Sequence, residues 1–311
     1  MLIITSEQIK IRHYGDLLPN SYARCISFSL NDQFLAVGST NEGVLIYRIK
    51  DWKVVHEIPQ EETVWSIEWS PDGKFLASGS INEPVKIWKT DDWREYLTLD
   101  KSEEAMKLNW SSDGKFLAIG TSGSSDNRPF LDIWKTSDWS KIKNEISQPS
   151  YPIFSHDSSM LAIDNELLGY EILSLPNFNR LKLLDFSDSE KHVSLFNSFW
   201  SYDDTLFVGS CGDGRIRVWR TKDWQEVFTK QLHDFWEGGK YGVSFSPNGK
   251  YLLSGGFGEP KLLSTESWRI VYNFPKGTLA DFYDSSWRSD SKLLTLLLGD
   301  GKRIELWEII D

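Results

Sequence analysis

The chain has 311 residues, 40% of them apolar and 25% charged, a balance that fits a folded globular protein and excludes a disordered or fibrous one. Its formal net charge of -11 argues against a protein whose main task is to cling to nucleic acid or an anionic membrane, since both recruit positive surfaces. The two cysteines, Cys25 and Cys211, are too few and too far apart for a disulfide framework or a thiolate metal site, which points to a reducing compartment.

At the N-terminus, MLIITSEQIK carries neither a basic leader region nor a small-residue cleavage site, so no secretory signal is read there. No window approaches the roughly 18 consecutive apolar residues of a spanning helix. The expectation is a soluble, cytoplasmic protein with no membrane partner. From Phe28 onward one short phrase recurs, an aromatic residue leading into a polar turn: SFSLND, EWSPDG, NWSSDG, IFSHDS, FWSYDD, SFSPNG and SWRSDS. The anchoring aromatics Phe28, Trp69, Trp110, Phe154, Trp200, Phe245 and Trp287 lie 41, 41, 44, 46, 45 and 42 residues apart. Seven units of one supersecondary pattern follow.

Unit two, VWSIEWSPDGKFLASGSINEPVKIWKTDDWREYLTLD at 64–100, shows the pattern most clearly. A strand ends at Trp69 and SPDG turns the chain. KFLASGS forms the second strand, INEP the next loop and VKIW the third strand. TDD then leads into a fourth strand that begins at Trp93. Unit three repeats this with a longer loop, TSGSSDNRPF, at 121–130. Unit four is the least regular: Tyr170 or Leu173 replaces the third-strand tryptophan, and Phe178 in SLPNF replaces the fourth-strand one. Unit six is preceded by a long entry, HDFWEGGKY at 233–241, in which Trp236 belongs to no repeated slot. Unit seven stops after three strands, and residues 8–14 are expected to supply the missing outer strand beside 303–309, removing two open sheet edges. Alternation has period two throughout, so the predicted fold is all-β: a seven-bladed propeller of four-stranded antiparallel blades, one domain over 1–311. Its 15 tryptophans are read as wedges between blades, each removing about 150 to 250 Å² from water.

These units resemble the WD-repeat β-propeller family, most clearly in VWSIEWSPDGKFLASGS, VSFSPNGKYLLSGG and GDGRIRVW. The resemblance covers essentially the whole chain. It implies a ring of blades whose first strands line a central channel and a function in binding other macromolecules. The chain departs from the family pattern in its pairs. Lys89, Lys135, Arg220 or Glu308 follows the third-strand tryptophan where the family has Asp, no unit carries the Gly-His pair, and only Asp213 survives at the matching turn.

Signals for catalysis are sparse. The histidines His13, His56, His156, His192 and His233 fall in different units without metal-ligand spacing and read as surface or turn residues. Asp72, Asp113, Asp157 and Asp203 repeat at one turn slot, which assigns them a structural task. The expectation is a protein that is not an enzyme, with no catalytic residue, metal or cofactor. The alternatives are an enzyme or small-molecule binder with a site in the channel, and a structural subunit of a larger complex.

In a repeat protein, function lies in what does not repeat. Four residues before each anchor, where the first strand leaves the upper loop, stand Arg24, Trp65, Met106, Ser150, Phe196, Tyr241 and Tyr283. An arc of aromatics with an arginine has the composition of an interaction hot spot. With Trp236, the residues Arg24, Trp65, Met106, Phe196, Tyr241 and Tyr283 form the candidate site for a protein or peptide partner. The competing reading is that they cover the top of the blade packing.

Overall fold

Each S-x-[Asp/Asn] phrase closes a hairpin by the same chemistry. In SPDG, Ser70 Oγ donates to Asp72 Oδ1 at 2.7 Å and accepts Phe75 N–H at 2.9 Å, while Asp72 Oδ1 also accepts Lys74 N–H. The same trio recurs around Ser29, Ser111, Ser155, Ser201 and Ser246, and Arg288 takes the serine's place in the seventh unit by pairing with Asp290. The fourth turn residue has positive φ in every unit: Asp32, Gly73, Gly114, Ser158, Asp204, Gly249 and Ser291. These turns join antiparallel strands, and the seven pairs grow into seven sheets.

The computed structural model describes residues 9–80, 82–99, 105–121, 130–142, 151–165, 169–185, 195–211, 213–234, 242–256, 258–275, 282–298 and 301–310. Among them are seven four-stranded antiparallel sheets and no helix. The inner strands are Ala23–Phe28, Val64–Trp69, Ala105–Trp110, Ile153–Phe154, Leu195–Trp200, Gly242–Phe245 and Phe282–Trp287, each touching the next and the last touching the first. The architecture is therefore a seven-bladed β-propeller. Its ring is closed by Lys10–Leu17, which pairs antiparallel with Arg303–Ile310 from Lys10↔Ile310 to Leu17↔Ile304. The closing strand ends at Leu17, three residues beyond where repeat counting ends it, and a bulge between His13 and Gly15 shifts its register.

Seven buried clusters fill the seven interfaces between blades. One joins Phe28 and Leu35 of blade 1 to Leu293 and Leu306 of blade 7, and another joins Ile67 and Trp69 of blade 2 to Ala36 and Ile46 of blade 1. Every anchor aromatic is buried, Trp200 and Phe245 completely. The inner strands' outward edges are satisfied across the gaps. Ser66 Oγ accepts Leu108 N–H, Asn109 Oδ1 accepts Phe154 N–H and Asp284 Oδ2 accepts Ile26 N–H, while the indoles of Trp69 and Trp200 donate to Ser27 O and Ile153 O. An edge that would otherwise expose unpaired backbone is closed without a further strand.

The repeated I-W-K-T-x-D-W phrase has a role for each polar letter. Thr90, Thr136, Thr221 and Thr265 donate to the carbonyls of Gly73, Gly114, Asp204 and Gly249, tying the two lower turns of a blade together. Asp92, Asp138 and Asp223 cap the backbone two residues on. The closing tryptophan is not the first residue of the outer strand, contrary to the sequence expectation: that strand begins at Glu95 in blade 2, and Trp93 sits in the turn at φ 58°. Trp52, Trp139, Phe178, Trp224 and Trp268 share this left-handed conformation, φ 52–58°. It strains a bulky residue by about 1–3 kcal/mol, offset here by wedging the ring between blades. Trp93 meets Trp69 edge-on at 6.0 Å and Phe34 of the preceding blade at 5.8 Å.

Blade 4 resolves its two candidates. Leu173 pairs with Leu161 and occupies the third-strand tryptophan slot. Tyr170 is fully buried, donates from its hydroxyl to blade 5, and fills the space left by Gly209, where a Cβ would lie 2.2 Å from the ring. His233 is likewise buried rather than a surface residue, its Nε2 2.9 Å from Ser254 Oγ.

Candidate partner-binding rim

The upper end of each long inner strand carries a β-bulge. Register slips between Ala23 and Cys25, Val64 and Ser66, Ala105 and Lys107, Leu195 and Asn197, and Phe282 and Asp284. The bulged residues are therefore Arg24, Trp65, Met106, Phe196 and Tyr283, five positions of the arc read from the sequence. A bulge leaves its residue out of the hydrogen-bond ladder and re-aims the side chain, so one backbone distortion repeated around the ring presents Arg24, Trp65 and Met106 at equivalent places of adjacent blades.

Two of them meet. The Arg24 guanidinium lies 5.2 Å from the centroid of the Trp65 ring, across the junction of blades 1 and 2, and both residues are half-buried. The contact holds the arginine over a flat surface while leaving part of each group accessible. Met106 is half-buried at the equivalent point of blade 3. The structure fixes the backbone of Phe196 and Tyr283 at their bulges, but their side chains lie outside the described residues, as do Ser150, Tyr241 and Trp236.

Below the rim the inner wall is polar. Glu68 accepts a long hydrogen bond from Asn109 Nδ2 at 3.4 Å. Its burial within the ring, with Asp284 of blade 7 adding repulsion, raises its pKa to about 7 against the opposing pull of Lys107. That Asp284 acts on it from two blades away places both carboxylates around one central space. Sequence reasoning missed this pair; the signal was present one and three residues before the anchors, where Glu68, Lys107 and Asp284 stand among small polar residues. Among the described residues no group of three or more His, Cys, Asp or Glu could hold a metal ion, and both cysteines are buried and unpaired with each other. Asp72, Asp113, Asp157 and Asp203 each serve their own turn.

A ring of seven four-stranded antiparallel blades, closed by its first strand, defines a seven-bladed β-propeller. The model of the anaphase-promoting complex subunit 4 WD40 domain matches residues 26–96, and that of the WD domain, G-beta repeat, matches 184–220 and 225–258. Protein HIR1 of Phaeosphaeria nodorum is 29% identical over 131 residues, covering 38% of this chain and 12% of that protein. The chain thus spans about an eighth of that relative's length. These matches and the seven-bladed ring support a WD-repeat family for the chain, a family whose propellers generally mediate protein interactions and are typically non-catalytic. Among the described residues, Trp88 donates to Ser78 Oγ, Gln60 donates to Ser80 Oγ, and Asp213 pairs with Arg217.

Proposed function

We propose that the protein is a non-catalytic adaptor that docks a protein or peptide partner on its upper rim, with Arg24, Trp65 and Met106 at the described part of the contact and Phe196, Tyr241, Tyr283 and Trp236 completing it. The observation that carries this reading is the Arg24–Trp65 pair at homologous bulges of adjacent blades. Large amphipathic groups held half-exposed on a rigid scaffold are the composition of binding hot spots. The test is capture from native extract by wild type and by a folded Arg24→Ala, Trp65→Ala double variant. A partner retained by wild type and reduced about ten-fold or more by the variant supports the rim. Equal capture moves the contact elsewhere.

One further observation favours a second reading, a structural subunit of an assembly. Val54, Val55, Tyr96, Leu181 and Val227, exposed by 39–55%, stand on the outer strands of four blades. Exposed singly, such residues are ordinary on any surface; one partner crossing several blades would cover them together. The matched model's name, a complex subunit, points the same way. Surface labelling of these outer strands within native complexes decides it, since protection there and not at the rim selects this reading.

A further inference from the structure

The lower face holds a cavity of about 430 Å³ between blades 2 and 3, far from the rim. Its floor is aromatic: Phe75, Tyr96, Trp110 and Trp139, with Phe75 and Tyr96 centroids 5.0 Å apart and Trp139 6.4 Å from Tyr96. Asp72 and Asp113, one from each blade's turn, stand on its edges. Tyr96 is what makes it unlike the other interfaces. Its slot, three residues past the left-handed aromatic, is filled by Val55, Ile142, Leu181, Val227 and Val271 in the other blades that have one.

We propose that this cavity binds an arginine side chain presented by a partner peptide, the guanidinium lying on the Tyr96 and Trp139 rings and pairing with Asp72 and Asp113. Three observations support that occupant. Each carboxylate spends one oxygen on its turn and turns the other outward, held only by an exposed lysine: Lys74 at 3.0 Å from Asp72 and Lys115 at 2.8 Å from Asp113. Such surface pairs are weak and give way to a better-placed cation. Burial raises both carboxyls, but their turn hydrogen bonds and lysines outweigh it and hold them below the usual range, so both stay charged at neutral pH. Tyr96 is 47% exposed and already attracts a cation, with Lys89 Nζ 5.6 Å from its centroid. A planar, weakly hydrated guanidinium stacks on rings and pairs with carboxylates at once, which an ammonium does not. The net charge of -11 favours approach of a basic peptide.

The test is a titration of the full chain, labelled with ¹⁵N in its tryptophan indoles, with acetyl-glycyl-arginyl-glycinamide, and in parallel with the citrulline peptide, equal in shape but uncharged. The expected result is a saturable shift of the Trp139 indole with the Trp65 indole unmoved. Binding weakens about ten-fold or more with citrulline and with Tyr96→Ala, and survives in Tyr96→Phe. Because Tyr96 is half-exposed, indole signals unchanged at the tryptophans other than Trp139, which packs beside it, verify that its variants fold. The absence of a saturable Trp139 shift, equal binding of citrulline, or undiminished binding by Tyr96→Ala overturns the proposal. The Trp65 reference keeps this outcome separate from that of the rim.

Discussion

The two ends of the inner strands differ in what they repeat. At the lower end the chain spells one turn seven times, and side chains there bond to their own blade or to the next in nearly the same way. At the upper end only the backbone repeats: five bulges share one register, yet carry Arg24, Trp65, Met106, Phe196 and Tyr283. The lower end holds the ring together, and the upper end is free to vary because its bulged residues stand outside the backbone ladder.

The largest expected effect tests that division. Trp200 is fully buried, donates to Ile153 O and packs edge-on against Trp224. Trp200→Ala is expected to destabilise by about 3–5 kcal/mol, through lost burial, a cavity and an orphaned carbonyl. Trp65→Ala, at a half-buried residue in cation–π contact with Arg24, is expected to cost about 1 kcal/mol. Denaturant midpoints of the two variants measure this, and equal losses would make the rim a packing feature.

Glu68 breaks the regularity of the lower wall, and pH exposes it. Its folded pKa of about 7 lies above the ordinary glutamate value, so the folded state holds the proton more tightly than the unfolded state does. Its contribution to stability is therefore complete below about pH 4.5 and is lost as pH rises through about 7. Glu68→Gln, which keeps the neutral form, is expected to gain on the order of 1–3 kcal/mol over wild type at pH 8 and little at pH 4.5. Water in the channel reaches this partly exposed side chain, which favours the lower figure. A difference independent of pH between 4.5 and 8 would exclude a strained carboxylate.

The fold was legible because turn chemistry is local: S-x-D-G and T-x-D-W announce their hydrogen bonds within a few residues, and the period then counts the blades. Five bulges were legible because Arg24, Trp65, Met106, Phe196 and Tyr283 each lie four residues before their anchors, so a simple step back lands on them. The left-handed tryptophans were hidden, since nothing in the propensity of tryptophan favours positive φ and only packing between blades holds it there. Glu68 was hidden because its raised pKa comes from burial within the ring, with a lesser push from Asp284, and neither can be read from its local sequence. The lower cavity was hidden because one letter, Tyr96, separates it from the other interfaces.

The smallest effect concerns how adjacent turns on the lower face are fastened. Three turns place glycine at the positive-φ position and four do not: Asp32, Ser158, Asp204 and Ser291. Each of these four reaches back to the preceding blade's turn, where Asp32 accepts Ser289 N–H, Ser158 accepts Asp113 N–H, Asp204 accepts His156 and Asp157 N–H, and Ser291 accepts Asn248 N–H. Asp204→Gly relieves about 1 kcal/mol of backbone strain and removes hydrogen bonds to a charged acceptor worth about 1.5–3 kcal/mol. The expected net loss is about 1 kcal/mol in denaturant unfolding, partly restored in Asp204→Asn, which keeps one acceptor and tolerates the left-handed conformation. A stabilising Asp204→Gly would show that glycine alone suits this turn and that the blades are fastened by their aromatic cores without the latch.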